Sequence, residues 1–351
     1  MDRHWLRDAC TCELCVDPDS GQKNYGTCDV PLELPIQNCR KTAEGELEVV
    51  WQNDFLSRQG ENHVSKYSAD WIQSFFFPAP YGSFKLPNRI FWDKAIFEKD
   101  RITLDYNHWM ASGRDFVQGM LQLRTHGLLF LKNVPESEES VIHVANQIGN
   151  LQETLYGRTW NVRSKPQAEN VAYTNSFLGL HQDLLYTVDP PRIQILHCLE
   201  NTCEGGESLF SDGLRAAHLM KLGPAHFFKP LIHKVLRYEY KKHNHHYQQV
   251  RAVVHQNLEK VYWSPPFQAS DQNLLKTGQG SKHYRAWVEA ATKFRKLLED
   301  DPWMYEYKMK PGECVLFDNL RILHGRKQFD TSSGRRWLKG AYVAHDVYSS
   351  K

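Results

Sequence analysis

The chain has 351 residues with 43 basic and 41 acidic side chains, a formal net charge of +2 at neutral pH. So even a balance excludes the whole-chain field by which a protein gathers nucleic acid or an anionic membrane, and electrostatic selectivity must therefore be local. Hydrophobic residues make up 41%, enough at this length for one large enzyme domain and a small satellite, yet no stretch approaches the roughly 20 uninterrupted apolar residues of a membrane span.

The opening Met1-Asp2-Arg3-His4-Trp5 holds neither an apolar signal core nor an Arg-rich presequence, so the cytoplasm is the expected compartment. Cys10, Cys12 and Cys15 then crowd together. Neighbours that close rarely pair with one another, and in a reducing compartment clustered thiolates read first as metal ligands. Cys28, Cys39, Cys198, Cys203 and Cys314 read instead as small hydrophobic residues in or near cores. Short strand-like runs such as Glu48-Val49-Val50-Trp51, broken by Pro, Gly and Asn, predict a small β-rich module over residues 1–85. Pro78, Pro80, Gly82 and Pro87 block regular structure between Phe75 and Arg89 and place the linker there, ahead of a catalytic domain over residues 86–351.

A helix is expected from about Asn107 to Arg124, then a buried strand at Gly127-Leu128-Leu129-Phe130-Leu131. Val141, Val144, Ala145 and Ile148 share one face of a second helix. Strands follow at Ile193 to Cys198, Ser208 to Ser211, Cys314 to Phe317 and Gly340 to Ala344. One long amphipathic helix interrupts them, with Tyr284, Trp287, Val288, Ala291 and Leu298 on its apolar side. The polar stretch Ser270 to Ser281 reads as a mobile loop, and Lys242-His243-Asn244-His245-His246 as a solvated one. Helices around mostly antiparallel strands predict an α+β fold with a β-sandwich or jelly-roll centre, a double-stranded β-helix.

Within Gly179-Leu180-His181-Gln182-Asp183, two donor side chains stand two residues apart and so project to one side of an extended segment. Alone, His-x-Asp is common and usually structural. Here Asp318-Asn319-Leu320-Arg321-Ile322-Leu323-His324 adds a distal histidine directly after a strand. His181, Asp183 and His324 then make the two-histidine, one-carboxylate face that leaves iron(II) with open positions. Arg336, further along, can grip a dicarboxylate whose other end chelates the metal. Adjacent Arg335 competes for the role, but on a strand only one of the two faces the site.

Several stretches together resemble the γ-butyrobetaine dioxygenase and trimethyllysine dioxygenase family, a branch of the taurine-dioxygenase-like enzymes. They are Leu6 to Cys12, Leu155-Tyr156-Gly157-Arg158-Thr159-Trp160, Val171 to His181, Pro190-Pro191-Arg192-Ile193-Gln194, Gly205-Gly206-Glu207-Ser208, Asp318 to Arg326 and Gly340-Ala341-Tyr342. The resemblance implies a jelly-roll catalytic domain using iron(II), molecular oxygen and 2-oxoglutarate, with ascorbate as a stimulant. It implies that Arg336 takes the co-substrate carboxylate, with Asn170 and Leu196 lining the same pocket. It also implies an N-terminal zinc domain, in which His63 joins Cys10, Cys12 and Cys15. Three sulfurs and one imidazole close a tetrahedral site, so that zinc would be structural; a cluster of reactive surface thiols is the alternative.

By the same resemblance, Tyr156, Trp160, Tyr173 and Tyr342 line the substrate pocket. A trimethylammonium group has no proton to donate, and ring faces suit its diffuse charge. Tyr and Trp are also ordinary core residues, so core packing is the competing reading for each. Asn257 is expected to bond a substrate carboxylate. The resemblance therefore points to a hydroxylase of a small amine-bearing carboxylic acid, γ-butyrobetaine first, and to a homodimer. Leu184, where butyrobetaine enzymes carry an aromatic polar residue, keeps trimethyllysine or an unmethylated amino acid open as substrates, with hydroxylation, desaturation or cyclisation as outcomes. A zinc-stabilised binding protein that has lost catalysis is the reading from another class.

Overall fold

The computed structural model describes residues 2–57, 61–76, 87–163, 174–242, 244–270 and 280–351. They divide into two compact units, Met1–Leu86 and Pro87–Lys351. Most of the stretch assigned above to the linker, and all but the ends of the Ser270 to Ser281 loop, lie outside the described residues. No helix among the described residues is long and apolar enough to cross a membrane.

In the first unit, Asp2 caps the helix Arg3–Asp8 by accepting from the Trp5 N–H, which satisfies one of the donors a helix start leaves open. Strands β1 (Ile36–Lys41), β2 (Leu47–Trp51) and β3 (Val64–Tyr67) form an antiparallel sheet in that order. Val49 and Trp51, two apart on the central strand, share a face and pack with Leu6, Leu34 and Tyr67. Cys28 and Cys39 are exposed and lie outside any core, contrary to expectation; Cys39 falls on an edge strand whose every residue is exposed. Cys198, Cys203 and Cys314 are buried as expected.

The second unit contains β4 (Thr103–Asp105), β5 (Leu128–Lys132), β6 (Thr159–Arg163), β7 (Leu178–His181), β8 (Ile193–Asn201), β9 (Ser208–Asp212), β10 (Val235–Lys242), β11 (His245–Ala252), β12 (Tyr305–Tyr307), β13 (Cys314–Asp318), β14 (Ile322–Arg326) and β15 (Arg336–Val343). A six-stranded sheet runs β4-β5-β13-β8-β15-β6 and a four-stranded one β12-β9-β14-β7, with β10 and β11 as a separate hairpin. Every pairing in these sheets is antiparallel except β4 with β5.

The sheets form an α+β sandwich. Between them, Phe130, Leu196, Phe317 and Leu338 from the larger sheet pack with Leu180, Phe210 and Leu323 from the smaller. The alternate residues of the larger sheet, among them Leu129, Leu131, Ile193, Ile195 and Val343, form a second core with Trp109, Leu123, Val144 and Ile148 of the outer helices. Strands buried on both faces read as continuous apolar runs, which is why Leu128 to Leu131 and Cys314 to Phe317 were legible. Asp212 both caps the helix Gly213–Leu222 and bonds buried Arg321 at 2.7 Å, tying the end of β9 to the start of β14.

Three expectations are corrected. The helix expected from Asn107 to Arg124 is two, Tyr106–Met110 and Arg114–Thr125, because Ser112 takes φ +54° and Gly113 starts the second. On the long helix Gly280–Glu299 the buried face is Trp287, Ala290, Phe294 and Leu298, whereas Tyr284 and Val288 are exposed. The strand expected at Gly340 begins earlier, at Arg336. The histidine-rich segment is the turn of the β10–β11 hairpin; His245 and His246 are exposed, and His243 lies outside the described residues.

Candidate active site

His181 ends β7, Asp183 follows in a turn, and His324 lies on β14 directly opposite His181. The register of the smaller sheet thus joins donors that are far apart in sequence. Asp183 Oδ1 stands 3.3 Å from His181 Nε2 and 3.9 Å from His324 Nε2, and the donor atoms lie within 4.8 Å of one another. His181 Nδ1 is 2.9 Å from the Gly179 carbonyl, a contact that puts the proton on Nδ1 and leaves the Nε2 lone pair facing the cluster. Burial, with His181 alongside, pushes His324 down to about 3, so its imidazole is neutral; its Nε2 lies 3.4 Å from Gln194 Nε2. Burial works against the Asp183 carboxylate, but the two histidines and the Tyr342 hydroxyl outweigh it and hold its pKa below the usual range. Two imidazole nitrogens facing one carboxylate oxygen fit a divalent iron ion.

The Asp183 turn is held from several sides. Its N–H donates to Asn319 Oδ1 at 2.9 Å, and Asn319 Nδ2 donates back to the Asp183 carbonyl at 3.1 Å. Its Oδ2 accepts from Tyr342 Oη at 2.7 Å and from Gln194 Nε2 at 2.8 Å. Leu184 is buried at φ +59°, in the left-handed region.

His181, Asp183, His324 and Gln194 border a cavity of about 60 Å³ whose walls include Trp160, Leu196, Phe210 and Arg336. Arg336 begins β15, is buried, and donates from Nε to the Gly206 carbonyl at 3.2 Å. Burial lowers its pKa only to about 10, so it remains a cation at neutral pH. Among the described residues no carboxylate forms an ion pair with it, and a cation so placed fits an anionic co-substrate. Arg335 is exposed. Arg326 is also buried beside the cavity and donates to the carbonyls of Thr174 and Ser176.

The other expected residues scatter. Trp160 and Tyr342 are stacked with ring centroids 3.9 Å apart. The Tyr156 hydroxyl lies 3.0 Å from that of Tyr186, in an aromatic group that continues to Tyr240. Asn257 is exposed in the turn after Val254 and does not border the cavity. Asn170 and Tyr173 lie outside the described residues.

In the first unit, His63 Nε2 lies 3.8, 3.2 and 3.6 Å from the sulfurs of Cys10, Cys12 and Cys15. Zinc bond lengths of about 2.3 Å to sulfur and about 2.0–2.1 Å to nitrogen in a tetrahedron put such atoms about 3.6 Å apart, so the donor set fits that ion. Asp54 stands 3.4 Å from His63 Nδ1 and is itself held by Arg7, which also donates to Cys15 Sγ at 3.3 Å.

Comparison with known proteins gives the architecture a lineage. Residues 85–342 match the model of the taurine catabolism dioxygenase TauD, TfdA family. The chain belongs to that family. It is therefore an oxidoreductase of the iron(II)- and 2-oxoglutarate-dependent kind. Dioxygenase str8 of Strobilurus tenacellus is 33% identical, over 98% of this chain and 82% of that one. Trimethyllysine dioxygenase of Bos taurus is 28% identical over 99% and 80%. Gamma-butyrobetaine dioxygenase of Pseudomonas sp. is 26% identical over 99% and 88%. The solved structure of asparagine oxygenase superposes with a TM-score of 0.54 at 15% identity, covering 68% of this dioxygenase and 82% of its own chain, a likeness of fold.

Sequence reasoning overlooked Gln194 and Asn319 around Asp183, and Asp54 and Arg7 around His63. Gln194 did carry a signal, being a polar side chain within the apolar run that opens β8, and such a residue needs a buried partner. Asn319 carried none beyond standing between a strand and a ligand.

Proposed function

We propose that His181, Asp183 and His324 hold the iron, and that Arg336 binds the distal carboxylate of 2-oxoglutarate with Leu196 and Asn170 lining the same pocket. The observation that carries this reading is the convergence of three donor atoms within 4.8 Å beside a cavity that Arg336 also borders. Iron bound there supplies oxidation, converting 2-oxoglutarate and oxygen to succinate and carbon dioxide as a substrate C–H bond is oxidised. The chain's own groups orient the reactants: Gly179 fixes the His181 ring, Arg336 supplies a buried cation, and Leu196, Phe210 and Leu338 exclude water.

In this reading the two-sheet sandwich is a double-stranded β-helix, and Cys10, Cys12, Cys15 and His63 close a structural zinc site in the first unit. The substrate is an amine-bearing carboxylic acid. The names of the relatives support a quaternary ammonium compound, γ-butyrobetaine first, met by the rings of Tyr156, Trp160, Tyr173 and Tyr342. A second reading, an unmethylated amino acid, draws support from the stack of Trp160 on Tyr342 at 3.9 Å. Rings in contact have no room between them for a trimethylammonium group, which takes the place of a ring when it lies on a face.

Succinate formation with added iron(II) and ascorbate, across γ-butyrobetaine, trimethyllysine and unmethylated amino acids, tests both readings. Turnover with γ-butyrobetaine favours the cage. Turnover confined to unmethylated amino acids removes the cage and keeps the iron site. In parallel, Arg336→Gln is expected to weaken 2-oxoglutarate binding by about 2–5 kcal/mol, because it removes one partner of a buried charge pair. An unchanged affinity would move the co-substrate site elsewhere.

A further inference from the structure

Resting on the iron reading, we propose that Gln194 and Tyr342 are positioning residues that restrict Asp183 to ligation through a single oxygen, and so keep a third position on the iron free of protein.

The two oxygens of Asp183 have different surroundings. Oδ1 is the one that faces His181 Nε2 and His324 Nε2. Oδ2 accepts two hydrogen bonds, from Tyr342 Oη at 2.7 Å and from Gln194 Nε2 at 2.8 Å. Bonds to an ionised acceptor are among the stronger ones. For Oδ2 to reach a metal, the carboxylate would have to surrender both.

The donors are placed by the larger sheet. Gln194 on β8 and Tyr342 on β15 are directly paired, and Tyr342 is further held by its stack on Trp160. The acceptor follows β7 of the smaller sheet, and its main chain is clamped by Asn319. The two sheets therefore approach the carboxylate from different sides. Neither the backbone nor the side chain of Asp183 is left to rotate.

The consequence is one of counting. Two imidazoles and one carboxylate oxygen leave a six-coordinate iron three positions, two for the chelating end of 2-oxoglutarate and one for oxygen. A carboxylate bound through both oxygens would leave only two, and the co-substrate would fill them. The hydrogen bonds to Oδ2 thus protect the position that oxygen needs.

Nitric oxide, an oxygen surrogate, reports that position by electron paramagnetic resonance in anaerobic protein loaded with iron(II) and 2-oxoglutarate. Iron(II) affinity is measured separately by competition with a chromophoric chelator. In Tyr342→Phe combined with Gln194→Leu, nitric oxide binding is expected to weaken about tenfold, roughly the worth of one hydrogen bond to a charged group, while iron affinity is retained or tightens. Unchanged nitric oxide binding would overturn the proposal. So would iron and nitric oxide affinities falling together, since that is the mark of a carboxylate merely loosened. If the double variant does not fold, Tyr342→Phe decides alone, by the same pattern and a smaller shift. Wild-type protein that takes up no iron would overturn the iron reading and this inference with it; wild-type that binds iron, matched by its variants, would overturn this inference only.

Discussion

Gly340 has no side chain because Trp160 occupies the space one would need. A Cβ there would lie 2.4 Å from two atoms of the indole, across the pairing of β15 with β6. Gly340→Ala must therefore push Trp160 away from Tyr342 or part the strands, and overpacking of this kind costs about 1–3 kcal/mol. The expected result is a lower urea midpoint together with a change in indole fluorescence; an unchanged midpoint would show that the ring has room to move. Residue by residue, the trio His181, Asp183 and His324, whose donor atoms converge in the fold, was legible because His-x-Asp and a distal histidine have a chemistry that spacing reveals. What Tyr342 does was not. Its hydroxyl meets Asp183 only because the paired strands β8 and β15 bring it there, and no local pattern encodes a contact between residues 159 positions apart.

At the scale of elements, apolar periodicity located strands and helices well where burial is two-sided and less well where it is not. The long helix was found but its buried face was misplaced, because Tyr284 and Val288 are apolar in type yet exposed. Strand β8 carries a further buried polar residue, His197, paired with Cys314 on one side and Lys339 on the other. Among the described residues neither of its ring nitrogens has a hydrogen-bond partner, and burial lowers its pKa from 6.5 to about 4. The fold thus disfavours the protonated ring, and the unfolded chain binds the extra proton. Stability is complete above about pH 6.5 and should fall as the pH drops toward 4. Denaturant midpoints measured across that window for wild-type and His197→Leu, at equal metal loading, test this. The variant should show the shallower fall; identical slopes would assign the acid sensitivity to other groups.

For the molecule as a whole, the two units differ in how much core they own. The catalytic unit has apolar residues on both faces of its larger sheet. The unit Met1–Leu86 gathers only a small cluster around Leu6, Leu34, Val49, Trp51 and Tyr67. Cores that small usually need a metal or cross-links. On the zinc reading proposed above, a strong chelator should therefore collapse hydrogen-exchange protection in β1 to β3, and adding zinc back should restore it. Protection that survives complete zinc removal would show that the aromatic packing and the buried Arg7–Asp54 pair suffice without the ion.

Sequence alone determined the class of fold, the donor sets proposed for iron and zinc and the family resemblance, because ligand types, short spacings and apolar periodicity are local properties. Only the tertiary structure decided that Arg336 and not Arg335 borders the cavity, that Trp160 and Tyr342 stack on each other, and that Gln194, Tyr342 and Asn319 surround Asp183. Those facts depend on strand register and on the approach of two sheets, which a one-residue slip would change while leaving every local pattern in the chain intact.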